Sequence, residues 1–159
     1  MGGDDQVIEG WGDVGHAFWE LRTNIPHICF EAKYRRYLNN SMGLYPLSSL
    51  PIFGDKSGRF ALPDTGHAAD VTCEWHVSHS GFVSALRFCQ ALEQGVLSNT
   101  VHYNLERFNC ASATIDAAAS CGIVLPRNER EFYPTSRRGV CPGQLGQDIR
   151  QILRDREGL

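Results

Sequence analysis

Cys110 closes the stretch Tyr103-Asn104-Leu105-Glu106-Arg107-Phe108-Asn109-Cys110 and opens an Ala-rich run that ends at Gly122. Asn is a favoured N-cap, Ala is the strongest helix former, and Gly122 supplies a left-handed stop with Pro126 beyond it. The spacing therefore predicts a helix whose first turn holds the Cys110 thiol. Free backbone N–H groups and the positive end of the helix dipole lower a thiol pKa there. Taken alone, such a cysteine reads first as a small buried core residue, and a matching histidine is needed to say otherwise. A thiolate nucleophile also needs an imidazole within reach and a third polar group to orient it. Among the six histidines (His16, His27, His67, His76, His79 and His102), His16 stands apart. It follows Gly15 at the head of an alternating segment whose apolar neighbours would desolvate it.

The elements that must position this pair are read from periodicity. Gln6 to Arg22 reads as extended, with a bend at Gly10-Trp11-Gly12 and alternation from Gly15 to Arg22 that sets Ala17, Trp19 and Leu21 opposite His16, Phe18 and Glu20. Thr23-Asn24-Ile25-Pro26 is a turn cluster, and His27 to Lys33 reads as the return strand of a hairpin. Residues 34 to 69 look like a long connection with short extended pieces, of the kind that walls a cleft. Asp70 to Val77 alternates as a strand. Ser78 caps a helix to about Gln94, with Phe82, Leu86, Cys89 and Leu92 as its stripe and Gly95 as its stop. Pro142 to about Arg156 is an amphipathic helix, with Leu145, Ile149, Ile152 and Leu153 on one side. The sum is an α+β fold, a small antiparallel sheet with about three helices, in a single domain over residues 1–159.

Composition narrows the classes. At 159 residues, 42% hydrophobic and 21% charged, the chain has the means to bury a core. A net charge of −3 gives no reason to expect nucleic acid. The arginines toward the end are interspersed with Glu and Asp, as on a solvated face. No apolar run has the length of a bilayer, so no transmembrane segment is expected. Met1-Gly2-Gly3-Asp4-Asp5 lacks a secretion signal, which leaves the cytosol, export by a route that reads no such peptide, or an excised domain. Six cysteines without a CxxC pair argue against zinc, and His76 with His79 lacks a third ligand, so no metal and no cofactor is expected. Disulfide pairing among Cys73, Cys89, Cys121 and Cys141 stays open.

Gly15-His16-Ala17-Phe18-Trp19, then Gly43-Leu44-Tyr45-Pro46, then Asn104-Leu105 to Phe108-Asn109-Cys110 with its Ala-rich helix, together resemble a circularly permuted papain-like cysteine hydrolase. The nearest group is the permuted NlpC/P60-type enzymes, relatives of the lecithin-retinol-acyltransferase-like fold. The resemblance runs from about residue 7 to 153, with Pro142-Gly143-Gln144-Leu145 leading into the last helix. It implies a cysteine peptidase or amidase acting on the stem peptides of peptidoglycan, in the manner of antibacterial effectors exported by type VI secretion without a cleavable signal. It further implies action in a target cell's periplasm, a secretion-apparatus carrier and a cognate immunity protein as partners.

By position, Cys110 would be the nucleophile and His16 the general base and acid, with the Cys110 N–H in the oxyanion hole. A hairpin turning near Asn24 sets Glu31 opposite His16 on one face, and a return strand offset in register offers His27 instead. Glu31 is preferred narrowly. Tyr103, Asn104 and Asn109 are candidates for contacts with the oxyanion or substrate. Asp13 would orient His16 only if it were not simply a turn residue. Trp11, Trp19 and Trp75 would line a binding cleft or fill the core. Two alternatives stand beside amide hydrolysis. One is a thioesterase, acyltransferase or deamidase using the same pair, and the other is a non-catalytic binding module with Cys110 merely buried.

Overall fold

Four antiparallel strands lie side by side in chain order: β1 (Phe18–Glu20), β2 (Ser41–Pro46), β3 (Lys56–Ala61) and β4 (His102–Tyr103). In this computed structural model, residues 15–65, 69–132 and 135–158 are described. The expectations for residues 6–14, with Trp11 and Asp13, and for His67 lie outside them. Three helices complete the α+β fold: α1 (His79–Leu97), α2 (Cys110–Ser120) and α3 (Pro142–Glu157). A separate hairpin, β5 (Glu129–Glu131) with β6 (Arg138–Val140), precedes α3. Among the described residues no helix is long and apolar enough to cross a membrane.

The expected hairpin between the first strand and residues 27–33 does not form. β1 pairs with β2 instead, Phe18 opposite Gly43 and Glu20 opposite Ser41. Residues 27–29 and 32–37 are short 3-10 helices. Phe30, Tyr34 and Tyr37 recur at helical rather than strand spacing, and that face is buried against Phe82, Leu86 and Cys89 of α1. Ile28, within that expected return strand, is 79% exposed. Asp70–Val77 is not a strand either. Its alternation comes from two side chains anchored separately, Val77 on the α1 core and Trp75 on the cluster of Ala17, Ala111 and Ile115.

The helices follow from local chemistry. Ser78 Oγ accepts the Gly81 N–H at 3.1 Å to start α1, and the stripe Phe82, Leu86, Cys89 and Leu92 is buried. Gly95 does not stop this helix. A Cβ there would run into Val101, so glycine lets the following turn pack against the helix, which continues to Leu97. α3 carries Pro142 in its first turn and ends at Gly158 with φ +70°. On β2, Met42 and Leu44 are buried in the core, so Ser41, Gly43 and Tyr45 share the other face of the strand. That face carries the candidate site.

Candidate active site

Asn109 builds the cysteine's position. Its Oδ1 accepts from the N–H groups of Ala111 and Ser112 at 2.9 and 3.1 Å, and Ser112 Oγ accepts the Asn109 N–H at 2.7 Å, which closes a capping box. Its Nδ2 donates to the carbonyls of Leu105 and Val140 at 2.8 and 2.7 Å. The side chain is therefore committed to fixing the start of α2 and tying it to β6. Asn109 is scaffold, not a contact for substrate. Asn104 has a similar part: Nδ2 donates to Asp55 at 2.5 Å, and Oδ1 takes the N–H groups of Glu106 and Arg107. Tyr103 differs. Its buried hydroxyl donates to the Cys110 sulfur.

Cys110 is 3% exposed. The backbone N–H groups of Ala17, Ala111 and Cys110 itself point at its sulfur and favour the thiolate, as does Tyr103. Burial outweighs all four and pushes the thiol up to about 11. The expectation that a helix N-terminus would leave an acidic thiol is thus corrected: the donors are present, and desolvation is larger. Ala17, whose N–H points at the sulfur, directly follows His16, and Tyr45, whose ring stacks on the His16 imidazole, feels the Cys110 charge. Both links run from the His16 neighbourhood to the end of α2 that carries the thiol.

The imidazole is fixed from two directions. His16 Nε2 meets Asp64 Oδ2 at 2.6 Å, with side chains only 9% and 2% exposed. In the neutral ring, a proton on Nε2 would donate to this carboxylate and leave Nδ1 with the lone pair a base requires. The Tyr45 ring stacks on the imidazole at 4.3 Å between centroids, while its hydroxyl donates to Asp64 Oδ1 at 2.7 Å. Burial, and then this bond to Asp64, raise the Tyr45 pKa, so the phenol remains a donor. Asp64 is also held by its backbone, its N–H donating to Ser41 O at 2.8 Å and its own carbonyl accepting from Ser41 Oγ at 2.7 Å. Gly43 leaves the room for this pair. A Cβ on it would lie 2.8 Å from His16 Nε2 and well inside contact of Asp64 Oδ2.

Asp64 is therefore the carboxylate that holds the His16 ring, and neither Glu31 nor His27 lies in the place expected of it. Glu31 precedes the 32–37 helix, its side chain 63% exposed and paired with Lys33 at 2.8 Å. His27 Nε2 meets Asn39 Nδ2 at 3.2 Å on the surface. Both were placed by a hairpin that does not exist. Asp64 follows Leu62-Pro63 in a segment without periodicity, 48 residues from its partner, so no local pattern marks it. The one available signal was the pairing of small and aromatic residues at Gly43 and Tyr45. Trp19 is a core residue, its Nε1 donating to Cys89 Sγ at 3.4 Å, and Trp75 packs on the Ala17 cluster under Arg156. All six cysteines are free thiols. Among the described residues no group of three His, Cys, Asp or Glu side chains is arranged to hold a metal ion.

Comparison with protein-family models, with curated proteins and with solved structures gives no match in any of the three.

Proposed function

We propose that the protein is a cysteine hydrolase of amide bonds with Cys110 as nucleophile, His16 as general base and acid, and Asp64 as the group that orients the imidazole. The observation that carries this is the buried His16–Asp64 pair lying next to the Ala17 amide that points at the Cys110 sulfur. A thiol at rest is neutral here, so the chemistry begins with proton transfer rather than with a standing ion pair. His16 Nδ1 takes the thiol proton as sulfur bonds to the carbonyl carbon. The Cys110 N–H and the Tyr103 hydroxyl stabilise the oxyanion. As the tetrahedral adduct collapses, the C–N bond breaks, His16 returns the proton to the leaving amine, and a thioester remains. Water then attacks with its proton passing to His16, the acid leaves, and the thiol is restored. Asp64 keeps Nε2 protonated and offsets the imidazolium charge throughout.

The arrangement of motifs supports a permuted papain-like fold, and with it the stem peptide of bacterial cell wall as substrate for an exported antibacterial effector with an immunity protein as partner. Purified peptidoglycan incubated with the protein under reducing conditions is expected to release new peptide fragments, read by mass spectrometry. Cys110→Ala and His16→Ala abolish release, and Asp64→Asn lowers the rate roughly 10²–10⁴-fold. Full activity in either of the first two variants refutes catalysis by this pair.

A further inference from the structure

Arg59 stands directly across from Tyr45 in the β2–β3 register, and its guanidinium carbon lies 4.6 Å from the centre of the Tyr45 ring. The His16 ring lies 4.3 Å from the same centre. A ring has room for one group at that range on each face, so the phenol is held between imidazole and guanidinium. Arg59 is thus one aromatic thickness from the base, yet it is exposed. Its charge is uncommitted: like several other arginines, it makes no ion pair among the described residues. The nearby anion Asp64 is fully used by His16 and Tyr45. Lys56, on the same strand, is turned to the backbone carbonyls of Ser48 and Pro51. Cation–π contact holds the guanidinium plane in place while leaving its N–H edge open, and that edge matches a carboxylate in geometry and charge.

We propose that Arg59 is a specificity residue that binds a carboxylate carried by the substrate beside the scissile amide. The enzyme would then prefer peptides with a free acid at that position over the same peptides with an amide. This deepens the hydrolase assignment and rests on it for the location of the scissile bond. Binding, however, is measured separately from turnover.

The probes are L-alanyl-γ-D-glutamyl-L-lysine with its glutamyl α-carboxyl free, and the same peptide with that carboxyl amidated. Calorimetric titration into the full chain carrying Cys110→Ala is expected to show the acid binding about tenfold more tightly. Adding Arg59→Gln brings the two peptides to equal affinity, and Arg59→Lys keeps part of the preference. A purely structural part for Arg59, bracing Tyr45, would weaken both peptides alike and leave their ratio intact. An unchanged ratio in Arg59→Gln, equal binding of the two peptides, or binding of neither overturns the proposal. The two ideas fail separately. Turnover of both peptides at equal rates by the wild-type protein would remove the carboxylate site and leave the hydrolase, whereas Arg59-dependent binding without any turnover would do the reverse.

Discussion

Two opposed influences meet at the Cys110 sulfur, and their balance sets how the residue must work. Four hydrogen-bond donors favour the thiolate, and removal from water favours the thiol, with the second winning to give about 11. A thiol of this kind has about 10²-fold less thiolate at pH 8 than an exposed cysteine of ordinary pKa. Iodoacetamide should therefore modify Cys29, which is exposed, far faster than Cys110 at pH 8, with the Cys110 rate still climbing above pH 9. Tyr103→Phe removes one donor to the thiolate and should slow Cys110 further. Peptide mapping after timed alkylation reads both rates. A Cys110 rate that is already level at pH 7 would mean a preformed thiolate–imidazolium pair and would reverse the order of proton transfer and attack.

At the scale of the element, β2 matters because one of its faces must be nearly flat. Gly43 lies where the His16–Asp64 hydrogen bond passes over the strand, and a methyl group there cannot coexist with it. Gly43→Ala should leave the helices intact by circular dichroism, cost about 1–3 kcal/mol in urea unfolding, and cut activity as severely as Asp64→Asn. Activity near the wild-type level would show that the pair is not needed. This dependence explains what could be read in advance and what could not. The start of α2 was legible because a cap, its acceptors and the Ala run are all local, and the same holds for Ser78 on α1 and Pro142 on α3. Cys110 and His16 were singled out by such local cues, a helix cap for one and an alternating segment for the other. The small antiparallel sheet itself was expected, but its pairing was hidden because β1 and β4 are only 3 and 2 residues long, and because Gly43, Pro46 and Gly58 weaken the strand signal of the longer pair. Asp64 was invisible for a related reason, since it reaches His16 only through the β1–β2 pairing. Glu31 and His27 failed with the wrong hairpin, not through wrong chemistry.

Across the whole molecule, Cys89 is buried in the α1 core and Cys110 is buried at the start of α2, and both thiols are held neutral by burial, to about 12 and about 11 respectively. Raised folded-state values mean that these groups contribute stability fully below the unfolded thiol range near 9 and lose it as pH rises toward the folded values. The unfolded chain releases its thiol protons first, so alkali favours it. Between pH 7 and pH 10 each thiol should cost about 1.4 kcal/mol of unfolding free energy, one pH unit above the unfolded pKa being worth that much. Together that is about 3 kcal/mol, a large part of the 5–15 kcal/mol typical of a domain. Urea titrations at pH 7 and pH 10 measure the difference, and Cys89→Ala should halve it even though that change lowers stability at both pH values through the cavity it leaves. Because Trp19 Nε1 donates to Cys89 and Trp19 sits on the same short strand that leads back to Ala17 and His16, the alkaline loss and the loss of activity should run together. A protein equally stable at pH 7 and pH 10 would show that water reaches both sulfurs, and the neutral-thiol mechanism would fall with the burial on which it depends.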